Sequence, residues 1–326
     1  MGGCHQACQT RRLATAYVNR NVHIMERISI NRDSSMSELE LSRIIYGMWR
    51  LADDENRDIS HVQAKVEACL AQGITSFDQA DIYGNYESER LFGKLLKEAP
   101  HLRDKIEIIT KCDIKLLTDK SPERVVKYYD TSAAHINQSV DNSLNLMNID
   151  HIDMLLLHRP DPLMNHNETG AALDALVVSG KIGSIGVSNF KSWDINLLQS
   201  AMSNPITSNQ IEISLLAHQA FTNGDIAFAQ KKNIALMAWS PLAGGGLFDL
   251  SNKALLDKLT AIGASQGCDA SAVAVAWLLA HPAGILPVMG TNNIERIATI
   301  GDACKVQIDR ETWFVLYEMA LGHEVP

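Results

Sequence analysis

Residues 152–189 read IDMLLLHRPDPLMNHNETGAALDALVVSGKIGSIGVSN. The stretch opens on an apolar run at 152–157 and stops at His158 and Arg159. It then passes a helix-forming segment near 168–179 and enters a second apolar run at 182–187. Short, largely apolar runs suit strands buried on both faces, the condition inside a parallel sheet. The segment between them is too long for a hairpin and right for a crossover helix, so the stretch is one β-α-β unit.

The alternation continues in both directions. Apolar runs recur at 43–46, 74–77, 106–110, 206–209, 234–238 and 285–289. Helical patterns fall near 60–72, with Ser60 as N-cap, and near 87–97, 131–146 and 193–202. Others follow Gln219, cover 253–265 and 270–279, start at Ile294, and close the chain at 310–321. Eight strand-then-helix units predict an α/β fold of the (β/α)8 TIM-barrel type, a single domain over residues 25–326. A doubly wound open sheet is the alternative. It wants a G-x-G-x-x-G turn after its first strand, and Gly47-Met48-Trp49-Arg50 is not one.

The chain has 326 residues, 46% hydrophobic and 21% charged, ample for a large core. No apolar stretch reaches the length of a membrane span. The net charge of -9 gives no global attraction for nucleic acid or anionic lipid. No nucleic-acid or membrane partner is therefore expected. Residues 1–24 carry Arg11, Arg12 and Arg20, no acidic residue and no apolar core. They are expected to be a disordered leader or to lie upstream of the true start at Met25. Of six scattered cysteines, Cys69, Cys112, Cys268 and Cys304 sit in apolar segments, predicting buried thiols in a reducing, cytoplasmic setting. Cys4 and Cys8 lack a second ligand pair nearby, and no metal is expected.

A barrel carries its chemistry at the carboxyl ends of its strands. Polar residues stand there after nearly every run: Asp78 with Tyr83 five residues on, Lys111, His158 with Arg159 and Asp161, Ser188 and Asn189, Gln210 and Glu212, Trp239 and Ser240, then Gly290, Thr291 and Asn292. Each alone has an ordinary reading as a cap, a strand end or a core histidine. Together they describe one ring of acid, phenol, amine, imidazole and amides. Lys111 beside Tyr83 is expected to lower the phenol pKa, with Asp78 holding the lysine. Tyr83 is then a general acid for a developing alkoxide, and His158 a second donor to the same oxygen. No side chain supplies hydride, so a nicotinamide cofactor is implied. Ser188, Asn189 and Gln210 match its carboxamide, and Trp239 offers a stacking face. The glycine-rich segment 240–247 allows backbone approach to a pyrophosphate. Gly290 and Thr291 precede a helix that carries Arg296, a candidate phosphate site. Gly47, Met48 and Trp49, after the first run, complete the expected cofactor contacts.

These motifs resemble the aldo-keto reductases, most closely the bacterial YdhF-type group. The resemblance rests on Phe77-Asp78-Gln79-Ala80-Asp81-Ile82-Tyr83-Gly84, Thr110-Lys111-Cys112, Leu155-Leu156-Leu157-His158-Arg159-Pro160-Asp161-Pro162 and the run from Gly180 to Phe190. Asn209-Gln210-Ile211-Glu212, Ala238-Trp239-Ser240-Pro241-Leu242 and the C-terminal ALGHEVP add to it. It implies NADPH-dependent reduction of aldehydes or ketones, with Tyr83 as proton donor, Asp78 and Lys111 as its tuning pair and His158 orienting the carbonyl. Trp239 stands where the family usually has a stacking tyrosine, and the resemblance implies Ser240, Leu242 and Gly244 as backbone contacts to the cofactor. Gly183 and Gly290 stand where many relatives are basic, so NADH is kept as an alternative, with Thr291 and Arg296 as candidates to hold a 2′-phosphate. The expected partner is a small-molecule carbonyl compound, and the expected state a monomer or weak homo-oligomer. Two other functions compete with it: a cofactor-binding auxiliary subunit with little turnover, and a metal-dependent barrel hydrolase, which usually wants a His-x-His after the first strand that Tyr46-Gly47-Met48-Trp49 lacks.

Overall fold

The structure, a computed structural model, describes residues 25–30 and 38–325. The expected leader, with Cys4 and Cys8, lies outside the described residues. Eight parallel strands close into a barrel in chain order: β1 (Ile45–Gly47), β2 (Ser76–Asp78), β3 (Glu107–Cys112), β4 (Met154–Leu157), β5 (Ile185–Ser188), β6 (Ile206–Glu212), β7 (Ala235–Trp239) and β8 (Leu286–Met289), with β8 pairing back onto β1. Helices cover the outside: α1 (Ile59–Leu70), α2 (Ser88–Glu98), α3 (Ala133–Met147), α4 (His166–Val178), α5 (Ser192–Gln199), α6 (Asp225–Lys232), α7 (Lys253–Gln266), α8 (Ala270–Leu279) and α9 (Arg310–Leu321). The (β/α)8 expectation holds.

The strands sit later in the sequence than the apolar runs suggest. Asp78, Lys111, Ser188, Gln210 and Trp239 lie inside strands rather than after them. Ladder pairing uses backbone groups, so it continues until the side chains reach the rim, whatever their polarity. The Ser60 cap is also corrected: α1 begins at Ile59, with Asp58 in the N-cap position. Ser60 falls within the first turn.

The runs serve two cores. Ile45, Ile109, Met154, Leu156, Met237, Leu286 and Val288 point into the barrel, and Tyr46, Phe77, Ile108, Leu155, Leu157 and Leu236 pack outward under the helices. An antiparallel hairpin, Arg27–Ser29 with Glu40–Ser42, adds Ile30, Leu39 and Leu41 to the barrel interior. It lies at the amino ends of the strands, where the Arg27 guanidinium donates to Thr75 and Glu107. The far end is left for chemistry. Glycine at Gly183 also finds its reason here: a Cβ would come within 2.9 Å of His151 Nε2 and 3.0 Å of the Asp153 carbonyl. A side chain at that position would require the His151 ring to move.

The four described cysteines are free. Cys69 and Cys112 are buried as expected, Cys268 is half-buried, and Cys304 is exposed, contrary to expectation. Cys304 falls in a short helical segment, Ile300–Lys305, on which only Ile300 and Ala303 are buried. No single helix among the described residues is long and apolar enough to cross a membrane.

Candidate active site

Four expected residues converge at the carboxyl ends of β2, β3 and β4. Lys111 is fully buried, and its ammonium donates to both Asp78 oxygens at 2.7 Å, to the Gln79 carbonyl at 2.8 Å and to the Tyr83 hydroxyl at 3.0 Å. Burial alone would push the Lys111 pKa down, but the carboxylate and the phenol outweigh it and the net direction is up. Lys111 is therefore a fixed cation. The His158 ring meets the Tyr83 ring edge-on, centroids 5.9 Å apart. Burial, with Lys111, Arg159 and Lys127 adding, holds His158 well below the usual imidazole value, so it is neutral. Its Nδ1 is buried with no hydrogen-bond partner among the described residues.

One expectation is overturned. Lys111 touches Tyr83 as anticipated, yet the phenol pKa lies above the free value of 10.0, not below it. Burial of the hydroxyl disfavours phenolate and is the largest cause. Lys111 opposes it, and Asp78 offsets part of Lys111. The lysine limits a rise rather than causing a fall, and Tyr83 stays protonated as an acid.

A polar belt runs on from this cluster. The Gln210 amide donates to Asp78 Oδ1 at 2.8 Å. The Ser188 hydroxyl donates to the Gln210 carbonyl at 2.9 Å, and the Asn189 amide donates to the Ser188 oxygen at 2.8 Å. Trp239 Nε1 donates to Asn189 Oδ1 at 3.0 Å, which fixes the half-buried indole. Asn189 holds a left-handed conformation, φ +62°, a geometry asparagine tolerates. Each amide retains capacity: Gln210 has a second N–H, and Asn189 Oδ1 a second lone pair.

The segment after β7 is wound to suit backbone contact. Ser240, Ala243, Gly244 and Gly245 have φ values of +50°, +52°, +65° and +106°. A Cβ built on Gly244 or Gly245 meets nothing within 4 Å, so this backbone stands open. Leu242 is half-buried between them. Gly47 and Gly290 face each other across β1 and β8; a Cβ at Gly290 would lie 3.3 Å from the Gly47 carbonyl. Thr291 accepts from the Tyr46 hydroxyl through its carbonyl at 2.7 Å. The helix predicted after Asn292 is a single turn, Ile294–Ile297, in which the Arg296 N–H donates to the Asn293 side chain. Its dipole is correspondingly small. Arg296 on that turn is exposed. Met48 departs from the expected set: its side chain is buried, and its sulfur accepts from the Gln79 amide at 3.1 Å. Trp49 is 57% exposed with Arg50 over its ring at 5.3 Å.

Sequence reasoning missed several groups. Lys65 on α1 is fully buried and reaches Asp54 and, at 3.0 Å, Asn292, joining the loops after β1 and β8. Glu89 is buried on α2 and accepts from Thr110 at 2.6 Å and Ser143 at 3.0 Å. Its signal was a glutamate on the apolar face of an amphipathic helix. Asp161 belongs to the frame, accepting from the Thr131 hydroxyl at 2.8 Å. Among the described residues no three His, Cys, Asp or Glu side chains are grouped to hold a metal ion.

A sequence model described as the aldo/keto reductase family matches residues 43–318. The chain belongs to the aldo/keto reductase family. It is 58% identical over 301 residues to 6-dehydroglucose reductase from Agrobacterium fabrum, covering 92% of this chain and 100% of that protein. It is 39% identical over 289 residues to oxidoreductase YdhF from Escherichia coli, covering 88% and 96%. Among solved structures, the thermostable aldo-keto reductase Tm1743 bound to epalrestat superposes with a TM-score of 0.76 at 25% identity, covering 90% of this chain and 100% of that one. The YdhF-type resemblance is borne out, and this aldo/keto reductase is an oxidoreductase of carbonyl chemistry.

Proposed function

We propose that this protein reduces aldehydes or ketones to alcohols with NADPH, and that Tyr83 delivers the proton. The observation that carries the reading is Lys111: one buried ammonium touches the Tyr83 hydroxyl and both Asp78 oxygens. The residues present fit a nicotinamide dinucleotide. Ser188, Asn189 and Gln210 line up unspent amide capacity, Trp239 is pinned with a half-open face, and the 240–246 backbone is open. Gly290, Thr291 and Arg296 stand at the phosphate end, with NADH as the alternative cofactor. Gly47 and Trp49 border the site from β1, and Met48 contributes through its backbone position.

A bound reduced nicotinamide supplies hydride to the carbonyl carbon. The Tyr83 O–H donates its proton to the carbonyl oxygen, which becomes the alcohol. Lys111 compensates the charge left on the phenol oxygen, and Asp78 keeps Lys111 charged and aimed. His158, neutral and with an unpartnered nitrogen, offers its other ring nitrogen to orient the carbonyl. Arg159 and Lys127 place positive charge around His158, and Trp49 stands exposed at the rim. A polyhydroxy aldehyde is the substrate class this reading favours. The 58% identity to a 6-dehydroglucose reductase supports the same class.

The test is Tyr83→Phe. Turnover of NADPH with 6-dehydroglucose, followed at 340 nm, should fall by roughly 100-fold or more. NADPH binding, followed by fluorescence, should persist. Wild-type turnover in this variant would overturn the reading.

A further inference from the structure

Tyr83 is followed at once by three left-handed residues. Gly84, Asn85 and Tyr86 have φ values of +57°, +55° and +66°. Glycine and asparagine accept this region, but an aromatic residue there is strained. Gly84 is also required by space, since a Cβ would sit 2.3 Å from Ala52 Cβ. Such strain persists only where surrounding contacts over-determine it.

Those contacts come from the loop after β3. Two short strands, Ile114–Lys115 and Tyr128–Tyr129, pair antiparallel and carry residues 116–127 over the turn. The Leu116 N–H and the Arg124 guanidinium donate to the Tyr86 hydroxyl at 3.1 and 3.3 Å. Arg124 also donates to the Leu116 carbonyl at 3.1 Å, closing a small ring. The Thr118 hydroxyl donates to Asn85 Oδ1 at 2.6 Å, and Asn85 Nδ2 donates to Asp119 at 3.3 Å. Lys120 pairs with Glu87. Every side chain from Asn85 to Glu87 is thus gripped by the hairpin.

We infer that this hairpin is a clamp that positions the proton donor, with Tyr86 and Arg124 as its positioning residues. The inference rests on Tyr83 being the donor. Tyr83 reaches Lys111 across 3.0 Å from a turn whose own backbone bonds, Tyr86 N–H to the Ile82 carbonyl at 3.3 Å and Glu87 N–H to the Tyr83 carbonyl at 3.1 Å, have to span the strained residues. If Tyr86 relaxes to right-handed backbone, the chain between Tyr83 and α2 must rotate and the phenol leaves that contact. Neither Tyr86 nor Arg124 touches the reacting atoms.

The experiment compares Tyr86→Phe, Tyr86→Gly and Tyr83→Phe, using NADPH with 6-dehydroglucose. Tyr86→Phe keeps the ring and the strain but removes the clamped oxygen. Tyr86→Gly removes both the strain and the clamp. Both should keep the melting temperature within a few degrees and bind NADPH as the native protein does. Tyr86→Phe should lower kcat by about 10- to 100-fold with KM changed much less, because misplacing the donor slows the chemical step, whereas Tyr86→Gly, which accepts positive φ without strain, should lose less. The solvent deuterium isotope effect on kcat should rise as proton donation becomes limiting. Native kcat and isotope effect in both Tyr86 variants, with Tyr83→Phe inactive, would overturn the clamp and leave Tyr83 in place. Native turnover in Tyr83→Phe would instead overturn the function it rests on.

Discussion

The Gln210 side chain donates to the Asp78 carboxylate at 2.8 Å, joining β6 to β2 across the inside of the barrel. Both groups are almost fully buried, at 2% exposure each. The bond links two sets of residues: the Tyr83–Lys111–Asp78 group and the Ser188–Asn189–Trp239 belt. Asp78 therefore has a donor on either side, Lys111 and Gln210, and its position registers both.

Gln210→Leu tests that link. It removes one charge-assisted bond and one amide from the proposed carboxamide contacts, a loss of about 1.5–3 kcal/mol. The Kd for NADPH, measured by fluorescence titration, should rise at least about tenfold. Gln210→Glu should be worse at neutral pH, because it sets a second carboxylate against Asp78. Unchanged affinity in Gln210→Leu would confine the bond to a structural role.

The pH profile of reduction follows from two shifts of opposite sign. Tyr83 must be protonated to act, and its pKa is raised, chiefly by burial. Turnover should hold through neutral and mildly alkaline pH and fall only above the ordinary phenol value of about 10. His158 must be neutral, and its pKa is lowered well below 6.5, again chiefly by burial. No acid limb should appear near pH 6.5. A kcat profile from pH 5 to 11 checks both, and an alkaline limb near pH 8 would contradict the Tyr83 assignment.

Glu89 predicts a pH-dependent stability. Burial pushes its carboxyl up to about 7 from 4.5, against the opposing bonds from Thr110 and Ser143. A raised carboxyl binds its proton more tightly in the folded state. Its contribution is complete below about pH 4.5 and is lost as pH rises through about 7. The shift corresponds to about 3 kcal/mol. Glu89→Gln keeps the shape and can still serve both hydroxyls, so it should raise the melting temperature at pH 8.5 by several degrees and change it little at pH 5. Equal changes at the two pH values would show that Glu89 does not titrate in this window.

The apolar runs announced the barrel because a strand buried on both faces has few polar options, and eight such runs spaced by helices leave little choice of closure. The helices at Ala270–Leu279 and Arg310–Leu321 were legible to the residue, each opening on an aspartate cap whose side chain accepts the N3 amide. The site residues were legible by type and position, since polar side chains at successive strand ends have no other common destination. The hairpin over Tyr86 was not, because Ile114–Lys115 and Tyr128–Tyr129 are too short to show a period of two. The buried Lys65 looked like any solvent-facing helical lysine, because its partners lie 11 and 227 residues away.

The sequence by itself determined the chain of strands and helices, the end of the barrel that carries the chemistry, and which side chains gather there. Tertiary structure alone decided their charge states. Whether Lys111 makes Tyr83 a stronger or weaker acid depends on how much water reaches the phenol, and desolvation is set by packing of residues distant in sequence. It outweighed the neighbouring ammonium, which is why spacing could name the pair but not the direction of its effect.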